Sequence, residues 1–491
     1  MSLSPAVPLP RGRPEAVGVD PRGVAGFLDS VAAAGIELHS LMLYRAGHVI
    51  AEGWWAPYRP ELPHMQHSLT KSFTATAVGL AAGEGLLGLD DKVVSFFPDE
   101  APQADPNLAA PNLAVMTVRD LLTMRSGHSV GISGADWRPL RTSWVAAFLH
   151  TPVPNLPGRR FVYSSASSYM LSAIVQRVTG QRLTDYLKPR LFDPVGMTGI
   201  EWEISPEGVT PGGNGLSCPT EESLRLGILH LRDGMWNGRR VLPAGWVAAV
   251  RAVDRHPPSA DAPVHGYGLH WWGGPGGAYY AAGLFGQYSI VLPAQDAVLA
   301  LTGVSAHQDE RLLDLVWRDL YPALGGSRVT RDSAMSDTLS RRLAQLRIPT
   351  AAPGAIPKTA ALVSGLTFAM APNDDGVASV RLSFDGDRCV FKLRDDRGEH
   401  RIDVGLNGPV EGVTTMTGAA LHHQYEPGQM RVVASGCWTG ERDFEMTWRF
   451  NEIAFCDRVA CRFDADRITF RRSVNVNAGP IVRPPLFGTA V

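Results

Sequence analysis

The hydrophobic pattern of this chain changes period near residue 330, and that change constrains its fold more than any other feature. Upstream, helical and strand signals alternate. Residues 22–34 carry Val24, Phe27, Leu28 and Val31 at helical spacing, and residues 41–44 and 49–55 then flank Arg45-Ala46-Gly47-His48, a hairpin signature. Helices are expected from Ser68 (ended by Gly83 and Gly85), over 118–124 (capped by Thr117, closed by Gly127), over 167–179 (stopped by Gly180), from a Thr220 cap, and over 309–322. Residues 267–272, 278–282, 288–292 and 298–301 read as short strands. Helices and antiparallel strands are thus interleaved, without the regular strand-helix repeat of a parallel doubly wound sheet.

Downstream the texture is different. Residues 330–348 read as a helical connector and 349–357 as an Ala/Pro/Gly-rich linker. Beyond them the period is two: 380–384, an Asp385-Gly386 turn, 389–393, 402–406, 430–434, 444–450, 453–455, 459–463 and 468–470. Strands so closely spaced predict a sandwich or small barrel. A length of 491 residues demands more than one domain. The expected division is 1–325, a connector at 326–357, an all-β domain at 358–478 and a tail at 479–491.

Within the first region one pair of residues points to chemistry. Lys71 is one of five lysines among 46 basic residues, and it stands three residues after Ser68 at the head of an apolar stretch. Arginine keeps its proton in proteins, whereas a lysine desolvated by apolar neighbours loses it more easily and can act as a base. At i and i+3 the two side chains share a helix face. An amine so placed can take the hydroxyl proton while the oxygen attacks a carbonyl, and Ser-x-x-Lys is a recurrent catalytic motif. The bland alternative is a surface lysine whose stem lies along apolar neighbours. His64, His67 and Asp120 offer a Ser-His-Asp alternative, which needs a convergent geometry that spacing does not supply.

Composition excludes other classes. With a net charge of −2 and 19% charged residues, nothing favours nucleic acid. No run of eighteen apolar residues predicts a membrane span, and residues 1–20 carry no stretch resembling a secretion signal. Five scattered cysteines favour reduced thiols and a cytoplasmic location over a disulfide framework. Cys456 and Cys461 lack zinc-ligand company, since His422 and His423 lie far upstream, so no metal or other cofactor is expected.

Three segments, His67-Ser68-Leu69-Thr70-Lys71, Asp120-Leu121-Leu122-Thr123-Met124-Arg125-Ser126-Gly127 and Phe161-Val162-Tyr163-Ser164-Ser165, resemble the serine β-lactamase and penicillin-binding-protein-like superfamily. Pro194-Val195-Gly196-Met197, Gly266-Tyr267-Gly268 and Ala282-Gly283-Leu284-Phe285-Gly286-Gln287 match its class C-like branch, with the related esterases, D-aminopeptidases and 6-aminohexanoate-dimer hydrolases. The resemblance spans about 20–325. It implies an α/β (α+β) fold, an antiparallel sheet flanked by helices with a helical subdomain, and the β-rich end resembles the lipocalin-like modules appended to some members. It further implies Ser68 as nucleophile, Lys71 and Tyr163 as general base and acid, and Ser165 as support for Lys71. The N–H groups of Ser68 and Leu284, beside Gly283, become the oxyanion hole.

The third family motif, normally Lys- or His-containing before a glycine, reads Ala281-Ala282-Gly283 here, without the polar group that helps hold a substrate carboxylate. Gln287, Trp271, Trp272 and Tyr279 are candidates for substrate contact or for core. The expectation is a metal-free serine hydrolase acting through an acyl-enzyme on a small neutral ester or amide, with no nucleic-acid or membrane partner. The alternative is an acyl-binding sensor or transacylase with little hydrolytic turnover.

Overall fold

The computed structural model describes residues 8–100, 111–252, 264–306, 310–325, 333–416, 418 and 420–491. The chain divides into two units, the first taking in residues up to Ser305 and 310–346, the second Ala306 and Arg347–Val491.

The first unit opens on helix α1 (Pro21–Ala33), whose N-cap Asp20 accepts a hydrogen bond from the Arg22 N–H while Pro21 presets the first turn. Strands β1 (Glu37–Arg45) and β2 (His48–Trp54) follow, joined through Ala46 and Gly47, both left-handed with φ of 44° and 92°. Helices α2 (Thr70–Gly83), α3 (Val118–Leu122), α4 (Ser165–Thr179), α5 (Thr220–Leu231) and α6 (Trp246–Arg251) come next, then β3 (Trp272–Gly273), β4 (Tyr279–Gly283), β5 (Gln287–Leu292) and β6 (Ala297–Val304). The six strands form one antiparallel sheet in the order β2-β1-β6-β5-β4-β3.

Alternation along β1 assigns the two faces. Leu41 and Leu43 enter a core shared with α1 and the helical segment 311–323, while Met42 and Tyr44 enter the core of α2, α4 and α5. Helix α7 (Ser333–Ala344) contributes Leu339 and Leu343 to the first of these cores, so this part of the expected connector belongs to the first unit. The beginning of that connector, 326–332, lies outside the described residues, as does position 309.

Two local expectations are corrected. Residues 267–272 are a turn rather than a strand, because Gly266 and His270 both take left-handed backbone, with only a Tyr267–Trp272 bridge between them. Thr220 does not cap α5: Pro219 is the cap, and the Thr220 hydroxyl pairs with that of Ser40 at 2.7 Å.

The second unit is an all-β barrel of strands β7 (Thr367–Met370), β8 (Ser379–Asp385), β9 (Arg388–Asp395), β10 (Gly398–Gly405), β11 (Val410–Thr414), β12 (Met430–Trp438), β13 (Asp443–Arg449), β14 (Cys456–Asp464), β15 (Arg467–Val474) and β16 (Leu486–Ala490). Neighbours run antiparallel in the order β10-β9-β8-β7-β16-β15-β14-β13-β12-β11, and a parallel bridge from Gly405 to Ser435 joins β10 to β12. The period-two pattern fills its interior with Phe368, Phe391, Phe444, Trp448, Phe463 and Phe470. The expected tail, 479–491, carries β16, which pairs with both β7 and β15; residues 453–455 are a turn and not a strand.

Helix α2 reaches its position because its residues are small. A Cβ at Gly79 would lie 2.4 Å from the Trp246 indole on α6. Gly79→Ala is therefore expected to lower stability by about 1–3 kcal/mol, because the indole must shift within a close-packed core. Urea unfolding checks this: an unchanged midpoint would mean that Trp246 moves aside freely.

Candidate active site

Ser68 lies in a single 3₁₀ turn, His67–Leu69, that leads directly into α2. His67 enters that turn with φ of 46° and packs edge-on against Phe285. Every residue of α2 from Thr70 to Ala81 is buried, so Lys71 is carried into the interior by its own helix. Only 1% of Lys71 is exposed, and its Nζ lies 2.9 Å from Ser68 Oγ, 3.0 Å from Ser165 Oγ and 2.7 Å from the Gly213 carbonyl oxygen. None of these partners carries a charge. Burial without a counter-ion lowers the Lys71 pKa to about 7.

Tyr163 comes from the segment just before α4, with Lys71 Nζ 4.8 Å from its ring centroid and its hydroxyl hydrogen-bonded to Ser68. Burial raises the phenol pKa well above its ordinary value, outweighing the opposite effect of the Ser68 bond. Ser165 is the first residue of α4. The motif therefore converges: Ser68, Lys71, Tyr163 and Ser165 form one hydrogen-bonded cluster drawn from two helix N-termini.

Two glycines permit this convergence. A Cβ at Gly213 would fall 2.8 Å from both Cβ and the carbonyl oxygen of Ser165, so a side chain there would push away the loop whose carbonyl holds Lys71. A Cβ at Gly283 would sit 2.1 Å from the Gln66 carbonyl, so only glycine lets β4 press against the segment leading to Ser68. Past Gly283 the chain turns through Leu284 and Phe285 (φ 69°), closed by a hydrogen bond from the Gly286 N–H to the Gly283 carbonyl at 3.3 Å.

The other expected residues have partners of their own. Asp120 serves a capping box with Thr117 at the start of α3. One ring nitrogen of His64 pairs with His39 at 2.9 Å and the other with the Met65 carbonyl at 3.0 Å. No Ser-His-Asp array is assembled from His64, His67 and Asp120. Gln287, expected to touch substrate, spends its amide on the turn and the sheet: it donates to the Leu284 and Gly303 carbonyls and accepts from the Gly303 N–H. Trp271, the other such residue, is 1% exposed and packs against His230 and Tyr279. Its neighbour Trp272 is only partly buried and leans on Tyr163, with centroids 5.4 Å apart. Ala281 is buried in the core that contains α2.

The carbonyl of Gly213 and the ring of His270 were missed from the sequence. Pro211-Gly212-Gly213-Asn214-Gly215 hints at a close approach, but nothing in sequence says which carbonyl would face the amine. Among the described residues no group of three or more His, Cys, Asp or Glu is placed to hold a metal ion, and no helix is long and apolar enough to cross a membrane.

Comparison with known proteins places this geometry in context. The profile of the Beta-lactamase family matches residues 27–320. The chain is 26% identical over 277 residues to a 6-aminohexanoate-dimer hydrolase of Paenarthrobacter ureafaciens, covering 53% of this chain and 71% of that protein. It is 28% identical over 336 residues to esterase EstB of Burkholderia gladioli, covering 62% and 77% respectively. A solved structure of a 6-aminohexanoate-dimer hydrolase homologue from Bacillus anthracis shares the fold, with TM-score 0.53, 17% identity and coverage of 65% of this chain and 87% of that one.

The depressed Lys71 pKa has a stability consequence of definite sign. Unfolded, the amine holds its proton up to about pH 10; folded, it gives the proton up near 7. Between those values the unfolded state binds more protons, so wild-type stability rises with pH, and below pH 7 the full cost of the buried charge is present. Lys71→Met should therefore compare best with wild type at pH 6 and lose ground steadily towards pH 10. Chemical denaturation at several pH values tests this, and a stability difference independent of pH would overturn the assignment of a depressed pKa.

Proposed function

Because the chain belongs to the Beta-lactamase family of serine hydrolases, we propose that Ser68 is its nucleophile and that it cleaves small neutral esters or amides through an acyl-enzyme. The observation that carries the reading is the 2.9 Å contact between Ser68 Oγ and an amine that is buried among neutral groups only.

Proton accounting around Nζ supports the role. The Gly213 carbonyl can only accept, so it takes one N–H. In the neutral amine the second N–H goes to Ser165 Oγ, and the lone pair is left to accept from the Ser68 hydroxyl. With its pKa near 7, Lys71 holds this base form in a large share of molecules at neutral pH. As Ser68 Oγ bonds to the substrate carbonyl carbon, its proton passes to Nζ. Tyr163, kept as a phenol by burial, then donates its own proton to the leaving alcohol or amine as the scissile bond breaks, and recovers one from Lys71. Water repeats the sequence in reverse roles: it attacks the acyl carbonyl, loses its proton to the restored base, and releases the acid and free Ser68.

In the proposed arrangement the N–H groups of Ser68 and Leu284 receive the oxyanion, held at the required spacing by the approach of Gly283 to Gln66. The positive end of α2 adds to the same stabilisation. Neutral substrates are favoured by Ala281, whose buried methyl supplies neither charge nor hydrogen bond where a carboxylate would need one. Relatives named as a dimer hydrolase and an esterase support the hydrolytic reading. The five free cysteines accord with a reducing, cytoplasmic compartment.

Two outcomes follow. Ser68→Ala should abolish turnover and covalent labelling by a fluorophosphonate, and Lys71→Arg should lower kcat by about 10²–10⁴-fold, since the charge stays while the base is lost. Intact-protein mass spectrometry reads the label; undiminished labelling of Ser68→Ala would refute the nucleophile. Short-chain nitrophenyl esters should also be turned over with higher kcat/KM than a chromogenic cephalosporin, whose carboxylate would be desolvated without a partner at a cost of several kcal/mol. Equal or better cephalosporin turnover would overturn the preference, and Ala281→Lys should raise β-lactam acylation.

A further inference from the structure

His270 is bonded to the helices of both Lys71 and Ser165, to the first through its backbone carbonyl and to the second through its buried ring, without entering the hydrogen-bonded cluster itself. It is 2% exposed and holds a left-handed backbone, φ 59°, that a histidine adopts at a cost of about 1–2 kcal/mol. Such strain persists only where the surroundings fix it, and here they do so from three helices. The Ser72 hydroxyl on α2, next to Lys71, donates to the His270 carbonyl at 2.8 Å. The ring Nδ1 lies 2.8 Å from the Leu122 carbonyl at the end of α3, which can only accept, so Nδ1 carries the proton. Nε2 is then an acceptor, and it takes the Ser168 hydroxyl proton at 2.9 Å. Ser168 stands one turn beyond Ser165 on the same face of α4.

We propose that His270 is a positioning residue: it clasps α2 beside Lys71 and α4 beside Ser165, fixing the helix spacing that places Nζ between Ser68 and Ser165. Its ring also makes up part of the buried surroundings of the amine, whose charge acts on it. Lys71 from α2, Tyr267 on its own segment at 6.3 Å between ring centroids, and the Leu122 and Ser168 groups are what the ring faces. Burial first and the nearby Lys71 second push its own pKa down to about 3, so the ring stays neutral and its tautomer does not change through the working pH range. This inference rests on Lys71 acting as the base.

The test compares His270→Gly, Ser168→Ala and His270→Gln in ester hydrolysis across pH. In His270→Gly the backbone is relaxed but the ring is lost; kcat should fall about 10–100-fold at nearly constant KM. Its acidic limb should also move to higher pH, by about half a unit to one unit, as water reaches Lys71 and its pKa recovers towards the ordinary value. Ser168→Ala keeps the ring and cuts the tie to α4, so it should lower kcat in the same sense; this variant carries the test if the glycine variant does not fold. His270→Gln, whose Oε1 can accept from Ser168, should restore most of the kcat lost in the glycine variant. A wild-type kcat and acidic limb in the glycine and alanine variants, or a change confined to KM, would overturn the inference. Failure of wild-type Ser68 to label with a fluorophosphonate would instead sink the hydrolase reading beneath it.

Discussion

The burial of one amine without a counter-ion is the constraint on which the rest of the first unit depends. An isolated ammonium in a protein interior is strongly disfavoured, and the group responds by giving up its proton near neutrality. That response requires more than an apolar stretch. It requires a helix buried along almost its whole length, as α2 is from Thr70 to Ala81, with Gly79 leaving room for the Trp246 indole on α6. It also requires neutral acceptors for the N–H groups, because a carboxylate among them would restore the ordinary pKa. Ser68, Ser165 and the Gly213 carbonyl meet that condition.

Sheet register and glycine placement deliver the other half of the site. β4 pairs with β5 in the register Gly283↔Gln287 and Ala281↔Ser289, so Tyr279, Ala281 and Gly283 share the face turned towards α2 and α5. Only the last of them has no Cβ, and that is where the strand meets the Gln66 carbonyl. Gln287 then fixes the exit of the strand by bonding the Leu284 and Gly303 groups. The Gln287 amide is thus tied to the Leu284 turn and to the Gly303 backbone.

Legibility in the sequence followed the range of the signal. Ser68 and Lys71 stand three residues apart at the head of an apolar stretch, and the local chain brings them together, whereas Tyr163 and Ser165 were legible only through the family resemblance of their segment. The α/β first unit and the all-β second were likewise legible, since a period of 3.6 giving way to a period of 2 survives tertiary packing. Facing within strands buried on both sides was not: β5 is buried at all six positions, so Gln287 carried no sign of which side it served. The turn at 267–272 was misread as a strand because a left-handed histidine leaves no mark in composition; its backbone is imposed by Ser72 and Leu122, distant in sequence. Strand β16 was lost for a similar reason, being separated from β15 by a Pro- and Gly-bearing stretch and identified only by its partners.

The second unit shows what a buried charge looks like when its partners are complete. Asp457 on β14 is fully buried, as is His422, whose Nε2 lies 2.7 Å from Asp457 Oδ1 and whose ring stacks on Phe455 at 4.6 Å. Arg472 on β15 closes the other carboxylate oxygen at 2.6 Å through Nε. Burial alone would raise the Asp457 pKa, but the Arg472 and His422 charges and hydrogen bonds outweigh it and hold the carboxyl below its ordinary value. That stabilisation is present above the unfolded pKa near 4 and is lost only as pH falls through the lower folded value, far from neutrality. At neutral pH this group therefore stays ionised and paired, cross-linking two strands and a 3₁₀ turn. Lys71 is the opposite case: its partners are all neutral, its pKa falls to about 7, and the proposed exchange of a proton with the hydroxyl beside it draws on that loss of charge. Burial is common to both residues, and the presence or absence of a counter-charge decides which of them keeps its charge near neutrality.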